Sequence, residues 1–209
     1  MTISKAEAEP RTSFWPNTLT VARIALAPIV AGLVLGADAV LFARGRELGA
    51  ALAGAASILF AIAALSDLAD GWLARRLNAT SPLGAALDHA ADKALGVAAG
   101  LALAASWLPL DLTVAVLIVL VRDAAIGGLR EGLAASGRAP AVGWLGKVKA
   151  FAFLAGLSAL LFFHWAAYAA AGVQLQQGLL LVGRALVFLA AALAVASGAL
   201  YVRTAVAKP

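Results

Sequence analysis

Six predominantly apolar stretches follow one another along this 209-residue chain, with only short polar breaks between them. They span residues 19–42, 49–74, 84–108, 110–134, 148–170 and 178–202. A helix of roughly 20 apolar residues can cross the hydrocarbon core of a membrane. The sequence therefore predicts an all-α, polytopic membrane protein with six transmembrane helices. We expect a single domain over residues 1–209, with residues 1–18 as a cytoplasmic segment, and consecutive helices packed as antiparallel neighbours.

The composition agrees with a membrane location. Hydrophobic residues make up 63% of the chain and charged residues 13%, whereas a soluble domain carries about 25% charged residues. The net charge of +5 does not indicate nucleic acid, because there is no basic soluble segment to bind it. Basic residues flanking membrane spans, close to anionic lipids, explain it better. The 20 glycines suit close helix packing in lipid.

The basic residues also predict an orientation. Six spans would put both termini on the same side as the connections at 75–82 and 135–147. That side carries most of the Lys and Arg residues, namely Lys5, Arg11, Arg75, Arg76, Arg130, Arg138, Lys147, Lys149, Arg203 and Lys208. The opposite side carries Arg44, Arg46 and Arg184. Because cytoplasmic loops are enriched in Lys and Arg, we expect both termini in the cytoplasm.

Four acidic residues are concentrated in a 26-residue segment. Asp67 and Asp70 are three residues apart, and Asp88 and Asp92 are four apart. Each pair therefore shares one face of its helix. The two helices are joined by a short turn, so the four carboxylates are predicted to converge near the cytoplasmic membrane boundary.

A divalent cation would stabilise this cluster. An unpaired Asp costs about 2.5–3.5 kcal/mol at the centre of a membrane helix, and less near the interface. Oxygen ligands favour Mg²⁺ or Mn²⁺ over zinc, and the chain has no cysteine. Four carboxylates exceed what one Mg²⁺ usually takes, so two ions are predicted, an arrangement suited to phosphoryl-type transfer.

Small residues lie one turn from these acids. Gly71 and Ala74 follow Asp67 and Asp70 by four residues, and Gly84 precedes Asp88 by four. They predict space for a nucleotide beside the metals, with Arg75 available to hold a phosphate. The alternative is that these small residues only let helices pack closely.

At this point the segment resembles the signature of the CDP-alcohol phosphotransferase family, D-x2-D-G-x2-A-R-x8-G-x3-D-x3-D. It matches at all the specified positions: Asp67, Asp70, Gly71, Ala74, Arg75, Gly84, Asp88 and Asp92. The resemblance implies a six-helix membrane domain, usually a homodimer, in the bacterial inner (plasma) membrane with its active site facing the cytoplasm.

The resemblance also implies the roles of these residues. The four aspartates would ligate the metals, and Asp92 would in addition take the proton of the acceptor alcohol. Asp70, Gly71, Ala74, Arg75 and Gly84 would bind the CDP part of CDP-diacylglycerol, from which CMP is expelled. A carboxylate bound to cations is a weak base, so the residues alone leave open whether Asp92 is base or only ligand.

A finer resemblance concerns the acceptor. Segments 16–23, 122–131 and 144–149 resemble the phosphatidylglycerophosphate synthase branch of that family, which implies glycerol 3-phosphate as acceptor. In that branch a Thr and a Gln usually stand where this chain has Ala150 and Phe153. Phosphatidylglycerol or an inositol phosphate are the alternative acceptors.

Five basic residues are predicted to bind the acceptor's phosphate: Arg23, Arg122, Arg130, Lys147 and Lys149. Arg122 lies about 18 Å from the outer end of its helix, at 1.5 Å per residue, a depth at which arginine normally faces a cavity or an anion. The alternative is that Asp123 merely pairs with Arg130. That pairing would leave Arg122 without a partner, so we favour the phosphate site.

Two other functional classes fit less well. An ion transporter could place acids inside the membrane, but transporters favour repeats and broken helices, and the sequence has no evident repeat. A prenyltransferase would need a second aspartate-rich motif, and no acidic residue follows Glu131.

Overall fold

The computed structural model describes the backbone of residues 14–77, 82–134 and 143–206. It describes the side chains of residues 21–40, 45–66, 90–91, 93–134 and 143–206. The described chain forms six helices: α1 (Phe14–Arg44), α2 (Arg46–Leu77), α3 (Pro82–Ser106), α4 (Leu110–Ala134), α5 (Trp144–Tyr168) and α6 (Val173–Val206). Each predicted apolar stretch coincides with one helix to within a few residues, which confirms the all-α prediction.

Five of the helices contain segments long and apolar enough to cross a membrane: Val21–Val40, Arg46–Ser66, Leu110–Ala134, Trp144–Tyr168 and Val173–Val206. In α3 the apolar segment that the structure describes is shorter, Lys93–Ser106. The protein is thus an integral membrane protein. A sixth crossing by α3, whose first half carries Asp88 and Asp92, remains a prediction.

A single residue separates α1 from α2. Gly45 has a backbone φ of +89°, in the left-handed region that glycine enters without the steric cost of a side chain. This conformation stops α1 at Arg44 and lets α2 begin at Arg46. The break between the apolar stretches 19–42 and 49–74 is therefore a very tight connection.

Along the described residues the helices contact one another in a ring, in the order α1, α2, α5, α6, α4, α3 and back to α1; the packing in this ring is extensive except between α4 and α3, which touch only slightly. Between α5 and α6 the close approach of the two helices depends on glycine. A side chain on Gly183 of α6 would lie 2.7 Å from Leu160 of α5, and one on Gly156 of α5 would lie 2.9 Å from Val187 of α6. Small residues thus serve helix packing here, as expected in lipid.

One predicted neighbour pair is wrong. Along the described residues, α4 and α5 do not pack extensively on each other, and each packs instead against α6. A cavity lies between them, and its described lining includes charged side chains of both helices. Consecutive helices are therefore not always neighbours in this bundle.

The two ends of the bundle differ, and we name them by their contents. The paired end lies where α1, α3 and α5 finish. There Tyr168 donates a hydrogen bond to the Asp38 carboxylate, and Arg184 forms an ion pair with Asp111. Arg46 donates to two carbonyl oxygens at the end of α5, those of Ala167 (2.8 Å) and Tyr168 (3.3 Å). The cavity end is the opposite one.

Candidate active site

A cavity of about 600 Å³ opens between α3, α4, α5 and α6 at the cavity end. Its walls combine apolar side chains such as Leu120, Phe153 and Leu154 with charged ones. Among the described residues, five cationic side chains and one carboxylate, that of Asp123, line it: the cations are Lys93, Arg122, Arg130, Lys147 and Lys149. Four of these five belong to the set predicted to bind a phosphate.

The inner wall of the cavity carries a three-residue ion-pair network. The ammonium of Lys149, which is 4% exposed, lies 2.5 Å from both carboxylate oxygens of Asp123. Arg122 Nη1 donates to Asp123 Oδ1 at 3.0 Å. Because a buried charge is costly unless it is paired, Asp123 stabilises both cations.

Arg122 has two further partners on α6. Its Nη2 donates to Ser197 Oγ at 2.9 Å and its Nε to the Ala194 carbonyl oxygen at 3.2 Å. The expectation that Arg122 lacks a partner is therefore wrong. The alternative pairing of Asp123 with Arg130 is wrong as well, because the carboxylate faces Lys149 across the gap between α4 and α5 instead.

The other cations of the cavity are not neutralised in this way. Arg130 and Lys147 are exposed, and Lys93 is half-buried. Within the part of the chain that the structure describes, these three side chains line the cavity without a hydrogen bond or an ion pair. They leave a positive region that suits an anion.

The fifth predicted residue lies elsewhere. Arg23 is 3% exposed on α1, a helix that packs against α2 and α3. It does not belong to the described lining of the cavity. The structure thus brings together Arg122, Arg130, Lys147 and Lys149 but not Arg23.

Lys93 is the one cationic residue of the described cavity lining that the sequence analysis did not assign to the acceptor site. It follows Asp92 directly and occupies a helix otherwise rich in alanine and leucine. A lysine in such an apolar helix is a signal of function, yet the sequence alone does not reveal which helix it faces. In the structure its ammonium lies against Gly127 of α4.

The two positions that depart from the family branch, Ala150 and Phe153, also line the cavity. Phe153 is buried, and its ring approaches Gly96 so closely that a side chain there would lie 3.2 Å from Cε1. The departures therefore make one wall of the cavity apolar. They do not remove any of the cations.

The signature aspartates lie near the connection of α2 and α3. Asp67 and Asp70 belong to α2, which ends at Leu77, and Asp88 and Asp92 belong to α3, which begins at Pro82. α2 and α3 contact each other. The side chains of all four lie outside the described residues, as do those of Gly71, Ala74, Arg75 and Gly84, so their convergence stays a prediction. Among the side chains that are described, no group of three or more His, Asp or Glu residues could hold a metal.

The register of α3 links the signature to the cavity. Positions 88, 92 and 96 are successive members of one i, i+4 stripe, and Gly96 lines the cavity. On α3 the described lining of the cavity thus includes Lys93, which follows position 92 directly, and Gly96, one helical turn beyond position 92.

Residues 13–196 match the CDP-alcohol phosphatidyltransferase family. Since the match covers most of the chain, the protein belongs to this family of enzymes.

Two relatives indicate the branch. The CDP-diacylglycerol–glycerol-3-phosphate 3-phosphatidyltransferase of Bacillus subtilis (strain 168) is 42% identical over 158 residues, covering 70% of this chain and 75% of the relative. The protein of the same name from Escherichia coli (strain K12) is 35% identical over 109 residues, covering 51% of this chain and 60% of the relative.

Proposed function

We propose that this protein transfers the phosphatidyl group of CDP-diacylglycerol to glycerol 3-phosphate, forming phosphatidylglycerophosphate and releasing CMP. The acceptor hydroxyl oxygen forms a new bond to the lipid-side phosphorus, and the bond from that phosphorus to the CMP oxygen breaks. The names of the bacterial relatives support this reaction. The observation that carries the choice of acceptor is the cationic cavity.

The charge of the cavity suits a phosphate monoester. In the described lining five cations face one carboxylate, and three of these cations have no ionic partner within that part of the chain. A dianionic phosphate matches an arginine fork combined with lysine point charges. A neutral alcohol would leave this charge uncompensated, so the cavity favours a phosphorylated acceptor.

The residues of the cavity divide the work. We assign direct contact with the phosphate to Arg130 and Lys147, which are exposed and without partners in the described chain. Arg122 and Lys149 form the inner wall, where Asp123 fixes their positions. Arg23 lies outside the described cavity lining, so its proposed contact with the acceptor's phosphate rests on the sequence alone.

The donor set fits two Mg²⁺ or Mn²⁺ ions. Four carboxylates on two contacting helices supply only oxygen ligands, which these ions prefer. We propose that Asp67, Asp70, Asp88 and Asp92 hold them; when bound, the ions would neutralise the pyrophosphate and the charge developing on the CMP oxygen. Asp92 accepts the proton of the acceptor hydroxyl, and Asp70, Gly71, Ala74, Arg75 and Gly84 bind the CDP group.

The test is CMP release by purified enzyme from CDP-diacylglycerol with a panel of acceptors. We expect turnover with glycerol 3-phosphate and little or none with glycerol, phosphatidylglycerol or an inositol phosphate. Equal turnover with uncharged glycerol would contradict the acceptor assignment. Preference for phosphatidylglycerol would also contradict the assignment, and it would indicate that the apolar wall at Phe153, rather than the cations, selects the acceptor.

We further propose six membrane crossings in the bacterial inner membrane, a homodimer, and a cavity end that faces the cytoplasm with both termini. Most of the Lys and Arg residues near helix ends belong to that end, as expected for a cytoplasmic surface. A cysteine introduced at position 79 should react with an impermeant reagent only from the cytoplasmic side, and one at position 174 only from outside. The reverse labelling would contradict this orientation.

A further inference from the structure

Lys93 of α3 and Gly127 of α4 make an unusually close contact inside the cavity. The Lys93 ammonium occupies the place where a side chain on Gly127 would begin. Gly127 itself is buried, and both residues line the cavity. Any residue larger than glycine at 127 would have to displace the ammonium.

The next residue shows that the helix itself does not require this glycine. Gly128 is exposed, and a side chain there would meet nothing within 4 Å. Both glycines are in the interior of the same helix, α4, where glycine is less favourable than alanine by about 1 kcal/mol. Space for Lys93 is therefore a specific reason for glycine at 127.

We propose that Lys93 binds an oxygen of the acceptor's phosphate and that the absence of a side chain at Gly127 leaves the room that the ammonium needs to do so. This inference rests on the proposed function and adds a residue to it. Lys93 enters from α3, whereas Arg130 comes from α4 and Lys147 from α5. The phosphate is then held from three helices, with the α3 contact one residue after Asp92 and thus beside the proposed reacting centre.

The competing explanation is that Lys93 only offsets the negative charge of the nearby aspartates. Geometry favours the phosphate role, because the ammonium lies against α4 in the cavity rather than making an ion pair with a described carboxylate. The carboxylate facing this space, that of Asp123, is already bound to Lys149 and Arg122. A purely charge-balancing lysine would not need the space left by Gly127.

The adjacent glycines provide a matched experiment. We would measure KM and kcat for glycerol 3-phosphate and for CDP-diacylglycerol with the wild type and with Gly127→Ala, Gly128→Ala and Lys93→Met. Gly127→Ala should raise the KM for glycerol 3-phosphate at least threefold and Lys93→Met roughly tenfold, the loss of one hydrogen bond to a charged group. Gly128→Ala should leave it within twofold, and the KM for CDP-diacylglycerol should change less than twofold throughout.

Gly127→Ala is expected to fold, because the displaced atom is the tip of a flexible side chain. If Gly127→Ala and Gly128→Ala gave the same KM and Lys93→Met kept the wild-type KM, the proposal would be overturned. A rise in the KM of CDP-diacylglycerol alone would overturn it too, since Lys93 would then serve the donor.

A second measurement separates this proposal from the proposed function. In the wild type, inorganic phosphate should protect Lys93 from reductive methylation, as quantified by mass spectrometry. If glycerol 3-phosphate proved not to be an acceptor, the proposed function would fail, while protection by phosphate would still support an anion site at Lys93. Unchanged methylation in saturating phosphate would overturn the site.

Discussion

The paired end and the cavity end both carry charged side chains, but among the side chains that the structure describes only the cavity end has cations without partners. At the paired end, Asp111 and Arg184 form an ion pair and Arg46 caps the carbonyl end of α5. At the cavity end, Arg130 and Lys147 line a cavity with no hydrogen-bonding or ionic partner among the described residues. A charged side chain that is paired within the protein stabilises the fold, whereas an unpaired one that lines a cavity can bind a ligand.

The largest effect should come from the aspartates next to the cavity end. Replacing Asp67, Asp70, Asp88 or Asp92 by Ala removes a proposed ligand, so CMP release should fall to background in each variant. Chelation with EDTA should have the same effect on the wild type, and added Mg²⁺ or Mn²⁺ should restore activity. Full turnover in excess chelator would show that the reaction does not need these ions.

A substitution at Asp123 tests whether the ion pairs of the inner wall stabilise the fold, as the pairs at the paired end are expected to do. Asp123→Asn would leave the buried Lys149 without a counter-charge, and breaking a buried ion pair costs about 3–5 kcal/mol. Asp123 is partly exposed, so we expect a loss of about 3 kcal/mol, seen as a fall in the melting temperature of roughly 6–12 °C.

The control for that variant is Glu131→Gln on the same helix. Glu131 is exposed and forms no ion pair with a described residue, so its melting temperature should stay within about 2 °C of the wild type. Equal shifts in the two variants would mean that Asp123 does not stabilise the cations of the inner wall.

Substitutions of Arg130 and Arg184 compare the two ends directly. Of the effects predicted here, theirs on KM should be the smallest. Arg130→Met removes a cation that faces the cavity, so the KM for glycerol 3-phosphate should rise about tenfold or more, with little change in the KM for CDP-diacylglycerol. Arg184→Met breaks an exposed pair worth about 0–1 kcal/mol and should leave both constants unchanged. If Arg184→Met altered acceptor KM as much as Arg130→Met, the distinction between the ends would not hold.

Much of this architecture could be predicted because it depends on local patterns. Apolar runs defined the six helices, and the spacing of Arg122 and Arg130 placed both on the wall of one cavity. The predictions that were wrong concerned contacts between helices. The sequence shows that Asp123 and Arg130 are seven residues apart, but not that Lys149, on another helix, lies 2.5 Å from the carboxylate.

The pairing of Lys93 with Gly127 has the same origin. Nothing within either helix distinguishes Gly127 from Gly128; only the packing of α3 beside α4 does. Arg46 is a similar case, since in the proposed orientation it would run against the rule that basic residues lie on the cytoplasmic side. In the structure Arg46 donates hydrogen bonds to the end of α5, a contact that no sequence pattern predicts.

The reach of Arg46 has a consequence for how the protein is made. Its two carbonyl partners lie 121 and 122 residues further along the chain, so the ribosome delivers α1 and α2 long before α5 exists. Only Gly45 separates these two helices, so we expect them to enter the bilayer as one hairpin in which Arg46 does not yet have its two carbonyl partners. Those two hydrogen bonds can form only after α5 has been synthesised.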